Sequence, residues 1–228
     1  TLFPGHITGY LEHLREREEA LRFHIPKKEL QTNAVVFDRR KAQYDPLLEK
    51  WAGLELTTVA ISIVHFEAER NREIYLPYSK SYIDLESVLG TLHGLGLRTR
   101  LACVLVNGYI DSSDKLSQLI DFAAKNRAEE LTVRPVNKPD EAQGDVYEWT
   151  AAHHLQEAQF DDIQGYLEKE GRLTRQFPFG ATVYDVSGQN VCLTNSLTRD
   201  VDASYMRQLI FFPNGRIATD WTEGAELL

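Results

Sequence analysis

The stretch that determines the fold is residues 97–135, which contains LRTRLACVLVNGY (97–109), IDSSDKLSQLIDFAAKN (110–126) and ELTVRP (130–135). The first and third pieces are apolar, β-branched runs, whereas the middle piece repeats its apolar residues at helical spacing. This pattern predicts a strand, a helix and a second strand. A unit of this kind usually places its helix over one face of a parallel sheet, with a right-handed connection.

The same alternation extends toward the N-terminus. The segments ELQTN (29–33) and TTVAISIV (57–64) predict two more strands, and the second is apolar on both faces, as expected for a central parallel strand. Between them we expect a helix with Asp45 as N-cap and Pro46 at its first position. The first 136 residues therefore predict an α/β fold, either half of a (β/α)8 barrel or a doubly wound sheet.

The pattern of apolar and polar residues changes after Pro135. We expect a loop with about one helical turn, a helix over residues 160–170, and then short strands. Pro213, Asn214 and Gly215 predict a hairpin turn, because Asn-Gly tolerates the positive φ angles of a tight turn. Leu209 and Phe211 are expected to face the barrel. The predicted domains are residues 1–140, the barrel core, and residues 141–228, an extension packed on it.

Composition excludes several functions. The formal net charge of -9 argues against a nucleic-acid partner, which needs clustered Lys and Arg. The sequence has no apolar run of the roughly 20 residues that span a bilayer, so we expect no membrane association. The two cysteines, Cys103 and Cys192, indicate a reducing compartment rather than a disulfide framework, and we expect a cytoplasmic protein with Cys103 buried.

Four ordered pieces carry a resemblance to a known family. ELQTN, TTVAISIV, GLGLRTRLACVLVNG (94–108) and ELTVRP resemble the third to sixth strands of the radical S-adenosylmethionine (radical SAM) enzymes. The resemblance implies an incomplete TIM-type (β/α) barrel with a parallel sheet, followed by a C-terminal α+β extension that ends in a β-hairpin. It extends over nearly the whole chain, although each piece alone is unspecific.

The family's C-x-x-x-C-x-x-C motif, which holds a 4Fe-4S cluster, does not occur in this sequence. We therefore expect a radical SAM domain truncated at its N-terminus and inactive alone. The resemblance implies that the full-length parent uses the cluster to cleave S-adenosylmethionine and starts a radical reaction on an unknown small-molecule or peptide substrate, with a reductant protein as electron source.

The resemblance also implies cofactor-binding residues at the strand ends. Ser62 would bind the ribose or the methionine carboxylate of S-adenosylmethionine, and Val136 would offer backbone groups to its adenine. Asn107 would face the ribose or the substrate. The remaining candidates are Thr32 and Asn33, near the reacting centre, and Arg134.

Each of these residues also has a purely local explanation. Thr32 with Asn33, and Asn107 with Gly108, suit ordinary turns. Arg134 suits a structural ion pair, and the Ser62 hydroxyl could bond a backbone carbonyl. His65 follows TTVAISIV, where a substrate-facing residue would lie, but a lone histidine in this position is more often simply the polar end of a strand.

The sequence identifies no metal site and no catalytic residue. The run His153-His154 with Glu157 suggests metal ligands, but adjacent helical histidines diverge and no third ligand is evident. Two other functions remain open: a non-catalytic barrel-like module that binds a ligand or protein, and a metal-independent α/β enzyme. The second ranks last, because it would need acid and base groups at strand ends that are mostly neutral.

Overall fold

A seven-stranded sheet organises the fold in this computed structural model, which describes residues 3–136, 145–178, 180–194, 209–212, 216–218 and 226–227. The strand order is β1-β2-β3-β4-β7-β6-β5. Strands β1 to β4 and β7 are parallel, whereas β6 runs antiparallel to both β7 and β5. The strands are β1 (Glu29–Thr32), β2 (Thr58–Ile63), β3 (Arg98–Leu105), β4 (Glu130–Pro135), β5 (Arg172–Gln176), β6 (Ala181–Val186) and β7 (Gln189–Thr194).

The described helices are α1 (Pro4–Leu21), α2 (Val35–Arg39), α3 (Lys41–Gly53), α4 (Ala68–Tyr75), α5 (Leu85–Gly94), α6 (Ser113–Lys125), α7 (Asp145–His153) and α8 (Glu157–Glu170). All except α4 and α7 contribute to the core on one face of this sheet, whereas α4 packs with Val64, Val104 and Val106 in a second cluster. Ile61, Leu101 and Leu131 point into the main core and are fully buried. No helix of the described ranges is both long enough and apolar enough to span a membrane.

The predicted βαβ unit is present in β3, α6 and β4. Strand β3 alternates strictly, with Thr99, Leu101, Cys103 and Leu105 buried and the residues between them half-exposed or exposed. Helix α6 buries its apolar stripe, and the Ser112 side chain caps it by accepting a hydrogen bond from the Lys115 amide at 3.4 Å. The predicted incomplete TIM-type α/β barrel is confirmed. So is its C-terminal hairpin, in the small sheet of β8 (Ile210–Phe211), β9 (Arg216–Ala218) and β10 (Glu226–Leu227).

The predicted helix start at Asp45 and Pro46 is wrong. Helix α3 begins at Lys41 and carries Pro46 inside. The buried face of α3 begins one turn closer to the N-terminus than the sequence predicted, because Tyr44 joins Leu48 and Trp51 in the core. This additional apolar contact stabilises a turn whose backbone hydrogen bond the proline removes.

Two further elements differ from the predictions after β4. The segment predicted as a loop with one helical turn contains α7, a nine-residue helix, among its described residues. Strand β5 was not predicted, because all five of its residues, RLTRQ, are exposed and show no apolar alternation. It pairs only with β6 among the described strands and forms one edge of the sheet.

The expected orientation of Leu209 and Phe211 toward the barrel is also wrong. These side chains are 52% and 67% exposed, whereas the intervening Ile210 is buried. Side chains of a strand alternate between its faces, so a register difference of one residue reverses the buried set. The hairpin turn predicted at residues 213–215 lies outside the described residues.

Candidate functional site

The predicted site residues lie at one edge of the sheet. Thr32 ends β1, Ser62 is the penultimate residue of β2, and Arg134 is the penultimate residue of β4. Asn33, Asn107 and Val136 follow β1, β3 and β4 directly or after one residue. The carboxyl ends of parallel strands share an edge, so the structure brings these residues to the same edge, where parallel barrels carry their active sites.

The sheet face opposite the main core, here called the inner face, is lined by small side chains below this edge. The paired register aligns Ser62 with Ala102, Ala102 with Thr132, Thr132 with Cys192, and Cys192 with Val183. All five residues, here called the small row, are half-buried. Short side chains leave space above the sheet, so the small row can form the floor of a binding site.

Ion pairs occupy the amino-terminal side of the small row. Lys27 Nζ lies 3.4 Å from a Glu29 oxygen and 3.1 Å from a Glu130 oxygen. Arg100 forms an ion pair with Glu29 and donates from Nη1 to Thr132 Oγ1 at 3.3 Å. This end of the inner face is therefore filled by paired charges.

Arg134 lies at that edge, one alternate position beyond Thr132 and opposite Val104. Its half-buried guanidinium makes no hydrogen bond or ion pair with any residue that the structure describes, so the structural ion pair considered above is not seen there. Burial raises the pKa of the nearby Tyr75 to about 12, an effect that the positive charge of Arg134 partly opposes. A planar, unpaired guanidinium in this position is suited to bind a carboxylate or phosphate.

Ser62 is also available for a ligand. Its half-buried hydroxyl has no hydrogen-bond partner within the described ranges. Register pairing places Ser62 two strands away from Arg134 and two residues closer to the amino-terminal side of the sheet. Their Cα atoms are therefore about 12 Å apart. The two groups could therefore contact opposite ends of a nucleoside-sized ligand.

Thr32 and Asn33 have local roles. Thr32 Oγ1 accepts a hydrogen bond from the Ala34 amide at 3.1 Å, and Asn33 Oδ1 accepts one from the Val35 amide at 3.3 Å. Both bonds stabilise the turn into α2, in which Ala34 has a φ of 59°. The acceptor oxygens of both side chains are thus already used.

Asn107 and Val136 are partly engaged as well. Asn107 Oδ1 accepts from Gln159 Nε2 at 2.9 Å, and the Asn107 amide donates to the His153 carbonyl at 2.8 Å. The Val136 amide donates to the Leu105 carbonyl at 3.2 Å. Asn107 therefore ties the loop after β3 to α7 and α8, and the Val136 carbonyl oxygen has no hydrogen-bond donor among the described residues.

His65 is held more rigidly than the sequence suggested. Its ring is 6% exposed and stacks on Phe66 with centroids 4.4 Å apart, and its Nδ1 accepts from the Glu67 amide at 3.0 Å. That bond places the proton of the neutral ring on Nε2. Burial lowers the His65 pKa, with smaller effects from the charges of Glu67, Arg70, Lys115 and Asp111.

Asn71 of α4 organises this loop and was not predicted from the sequence. Its fully buried carboxamide oxygen accepts hydrogen bonds from the Val64 and His65 amides at 2.9 and 3.3 Å. Its nitrogen donates to the carbonyls of His65 and Glu67. An asparagine in a polar helix resembles any solvated residue until its tertiary partners are known.

His153, the last residue of α7, and His154, which follows it, do not form a metal site among the described residues. Nδ1 of His153 bonds the Trp149 carbonyl at 2.7 Å, and Nδ1 of His154 bonds the Ala151 carbonyl at 2.8 Å. Across the described ranges, the one group with ligand spacing is Glu18, His24 and Glu55. There the Lys28 ammonium lies 2.6 and 2.9 Å from the two carboxylates, so a cation already occupies the position between them.

The two cysteines do not fit an iron-sulfur cluster. Cys103 points into the helix-covered core, whereas Cys192 lies in the small row on the opposite face of the sheet. Burial raises the pKa of both thiols. A cluster needs several thiolates around one point, so these residues cannot hold it and no chemical step is assigned to them.

Comparison with solved structures identifies the fold. SuiB of Streptococcus suis bound to S-adenosylmethionine aligns with a TM-score of 0.52 at 13% identity, covering 94% of this chain and 48% of that chain. SuiB bound to the precursor peptide SuiA gives 0.42 at 15% identity, covering 69% and 32%. A radical SAM methyltransferase from Sphaerobacter thermophilus gives 0.43 at 15% identity, covering 81% and 44%.

The likeness to S-adenosylmethionine-bound SuiB extends over almost the whole of this chain and shows a common fold. The chain spans about half the length of that protein. No protein-family model and no curated protein matches the sequence.

Proposed function

We propose that this chain is part of a radical SAM enzyme and supplies the carboxyl-edge residues that bind S-adenosylmethionine. The observation that carries the proposal is the half-buried Arg134, which lacks a carboxylate partner among the described residues and lies beside the small row. The fold shared with S-adenosylmethionine-bound SuiB supports it. The 4Fe-4S cluster of such an enzyme would be held by residues other than Cys103 and Cys192.

Each candidate residue has a role suited to its free atoms. Arg134 would bind the methionine carboxylate through two parallel N–H groups, and the Ser62 hydroxyl would bond a ribose hydroxyl. The Val136 carbonyl would accept from the adenine amino group. Thr32, Asn33 and Asn107 would shape the edge through the turn and loop contacts already described. The cofactor and the reduced cluster supply the radical, and the residues of this chain orient the ligand and exclude water.

The remaining expectations belong to this proposal. They are a small-molecule or peptide substrate, a reductant protein, a cytoplasmic location and a division of the chain near residue 140. Strand β7 belongs to the second predicted domain but pairs with β4 of the first, so the two would share one sheet.

Calorimetric titration with S-adenosylhomocysteine tests the proposal without the cluster, because this analogue retains the carboxylate and the adenosine. We expect binding by the wild-type chain and about 10-fold or greater weakening in Arg134→Met, since a charge-assisted hydrogen bond contributes about 1.5–3 kcal/mol. Arg98→Met is the matched control, because Arg98 is exposed at the amino-terminal end of the inner face.

Equal affinity in Arg134→Met would contradict the assigned role of Arg134. Absence of binding by the wild-type chain at millimolar analogue would contradict the proposal as a whole. It would favour the alternative of a non-catalytic binding module.

A further inference from the structure

Helix α4 lies on the inner face, apart from the main core. Its Ile74 and Tyr75 belong to a cluster that is separate from that core. On the sheet side this cluster contains Val64, directly after β2, Val104 of β3, and Val106, directly after β3. The helix is polar, AERNREIY, and only one of its residues, all of which the structure describes, is buried. Few apolar contacts therefore hold α4 on the sheet.

This position places α4 over the site proposed above for S-adenosylmethionine. Val104 is in register with Arg134, and Val64 is two residues beyond Ser62, so both valines continue the inner face toward the carboxyl edge. Burial raises the pKa of Tyr75 and the charge of Arg134 opposes this rise, so the last turn of α4 lies near that guanidinium. A ligand that spans Ser62 and Arg134 therefore has α4 above it.

Four residues, here called the latch, fix α4 to the loop after β3. The Arg70 guanidinium donates to the Gly108 carbonyl and lies over the Tyr109 ring, 4.4 Å from its centroid. Glu73 accepts hydrogen bonds from Arg70 Nη1 at 2.8 Å and from the Tyr109 hydroxyl at 3.2 Å. The Arg70 and Glu73 side chains are 34% and 36% exposed. Water can therefore replace these bonds, so the latch can open without leaving a charge buried and unpaired.

The amino-terminal part of α4 is held more firmly than the rest. Asn71 is fully buried and makes four hydrogen bonds to the backbone of residues 64–67. The segment after α4 is instead fully exposed at Tyr78, and an exposed side chain, Arg39, holds it at Ser79. Breaking buried hydrogen bonds costs more than breaking exposed ones, so α4 would move about Asn71.

We infer that α4 is a lid, which pivots at Asn71 and has to open before a ligand can enter or leave the space between Ser62 and Arg134. This inference rests on the proposed function and assigns the regulation of that same site. Lids of this kind exclude water from the bound ligand while they are closed. The latch contacts neither Ser62 nor Arg134, so weakening it favours opening in the free and the bound state alike. It therefore controls the rates of entry and exit rather than the affinity.

Amide hydrogen exchange of the full chain without ligand tests the motion. The amides of residues 72–76 donate the helical hydrogen bonds of α4, so their exchange reports its opening. Arg70→Met should speed this exchange about fivefold, the effect of losing one typical hydrogen bond, and leave α6 unchanged. Tyr109→Phe, which keeps the ring and removes only the hydroxyl, should shift the same amides in the same direction. The matched control is Glu69→Gln, because Glu69 is 65% exposed and pairs with Arg72 of the same helix.

Stopped-flow binding of S-adenosylhomocysteine to the same variants tests the gating. Arg70→Met should raise the association and the dissociation rate constants each about fivefold and leave Kd nearly unchanged, because the lid opens for both steps. Glu69→Gln should match wild type in both rate constants. A residue that merely supported the ligand would raise the dissociation rate constant alone.

Exchange of residues 72–76 that is no faster in Arg70→Met than in Glu69→Gln would overturn the lid. Analogue binding with unchanged rate constants in Arg70→Met, or with a change in dissociation alone, would overturn the lid and leave the cofactor assignment intact. Faster exchange in Arg70→Met without analogue binding by any variant would overturn the cofactor assignment and support the motion of α4.

Discussion

The carboxamide of Asn71 fixes His65 through its backbone: Asn71 Oδ1 accepts the His65 amide at 3.3 Å, and Asn71 Nδ2 donates to the His65 carbonyl. Replacing Asn71 with Ala leaves these buried groups and the Val64 amide without partners. We expect a loss of about 2–4 kcal/mol in the free energy of unfolding, measured by urea denaturation. Asn126→Ala, which removes one half-buried bond to the Phe122 carbonyl, should cost less than about 1 kcal/mol. Equal losses would show that Asn71 acts only as a helix residue.

The buried imidazole of His65 predicts a pH dependence. Burial lowers its folded-state pKa, so the unfolded chain takes up the proton first as the pH falls. Stability should therefore decrease from pH 7 toward pH 5, and His65→Gln should flatten this slope. Urea midpoints over this pH range measure the effect, and NMR titration of the His65 ring should give a pKa below the ordinary value of a histidine. An unchanged slope in His65→Gln would contradict the assignment.

A side-chain hydrogen bond from Trp51 Nε1 to Thr8 Oγ1, at 2.8 Å, joins helices α1 and α3 beside the exposed ion pair of Lys50 with Glu12. The Trp51 side chain is fully buried, so its N–H has no access to water as an alternative partner. Thr8→Val keeps the shape and removes the acceptor, and should lower the free energy of unfolding by about 1–3 kcal/mol. Thr8→Ser should stay close to wild type in the same measurement. A neutral Thr8→Val would mean that the indole finds another acceptor.

Lys28 predicts acid sensitivity. Its ammonium, 4% exposed, lies between Glu18 and Glu55, and its hydrogen bond is the main reason that the Glu18 pKa is lowered. A carboxylate with a lowered pKa stabilises the fold above its unfolded pKa, and this contribution is lost as the pH falls through the folded value. Lys28→Met should therefore reduce stability more at pH 7 than at pH 3. The neighbouring Lys27 side chain is 47% exposed, so Lys27→Met should show a much smaller difference between its stability losses at pH 7 and at pH 3.

Much of the fold was predictable, because a short β-branched run such as TTVAISIV favours a strand and the apolar residues of α6 repeat at helical spacing. Strand β5 was not, since an exposed edge strand carries no apolar pattern. The predicted orientation of Leu209 and Phe211 was wrong because alternation shows that a strand has two faces but does not show which face is buried. Nothing in the local sequence distinguishes the buried face from the exposed one.

For the site, the sequence predicted the position of Arg134 and Ser62 but not their state. Parallel strands bring their carboxyl ends to one edge, so residues after each strand can be named in advance. Whether Arg134 meets a carboxylate depends on side chains distant in sequence, such as those that pair with Arg100 and Arg98. The local turns of Thr32 and Asn33 were predictable, because their partners lie two residues away.

The position of β7 has a consequence for synthesis of the chain. It is the last strand of the large sheet in sequence, yet it lies between β4 and β6. The far edge of β4 therefore stays unpaired while about 60 further residues, from Pro135 to Thr194, leave the ribosome. At about 5–20 residues per second this takes several seconds. During that interval a nascent chain exposes an apolar strand edge that chaperones or neighbouring chains can bind.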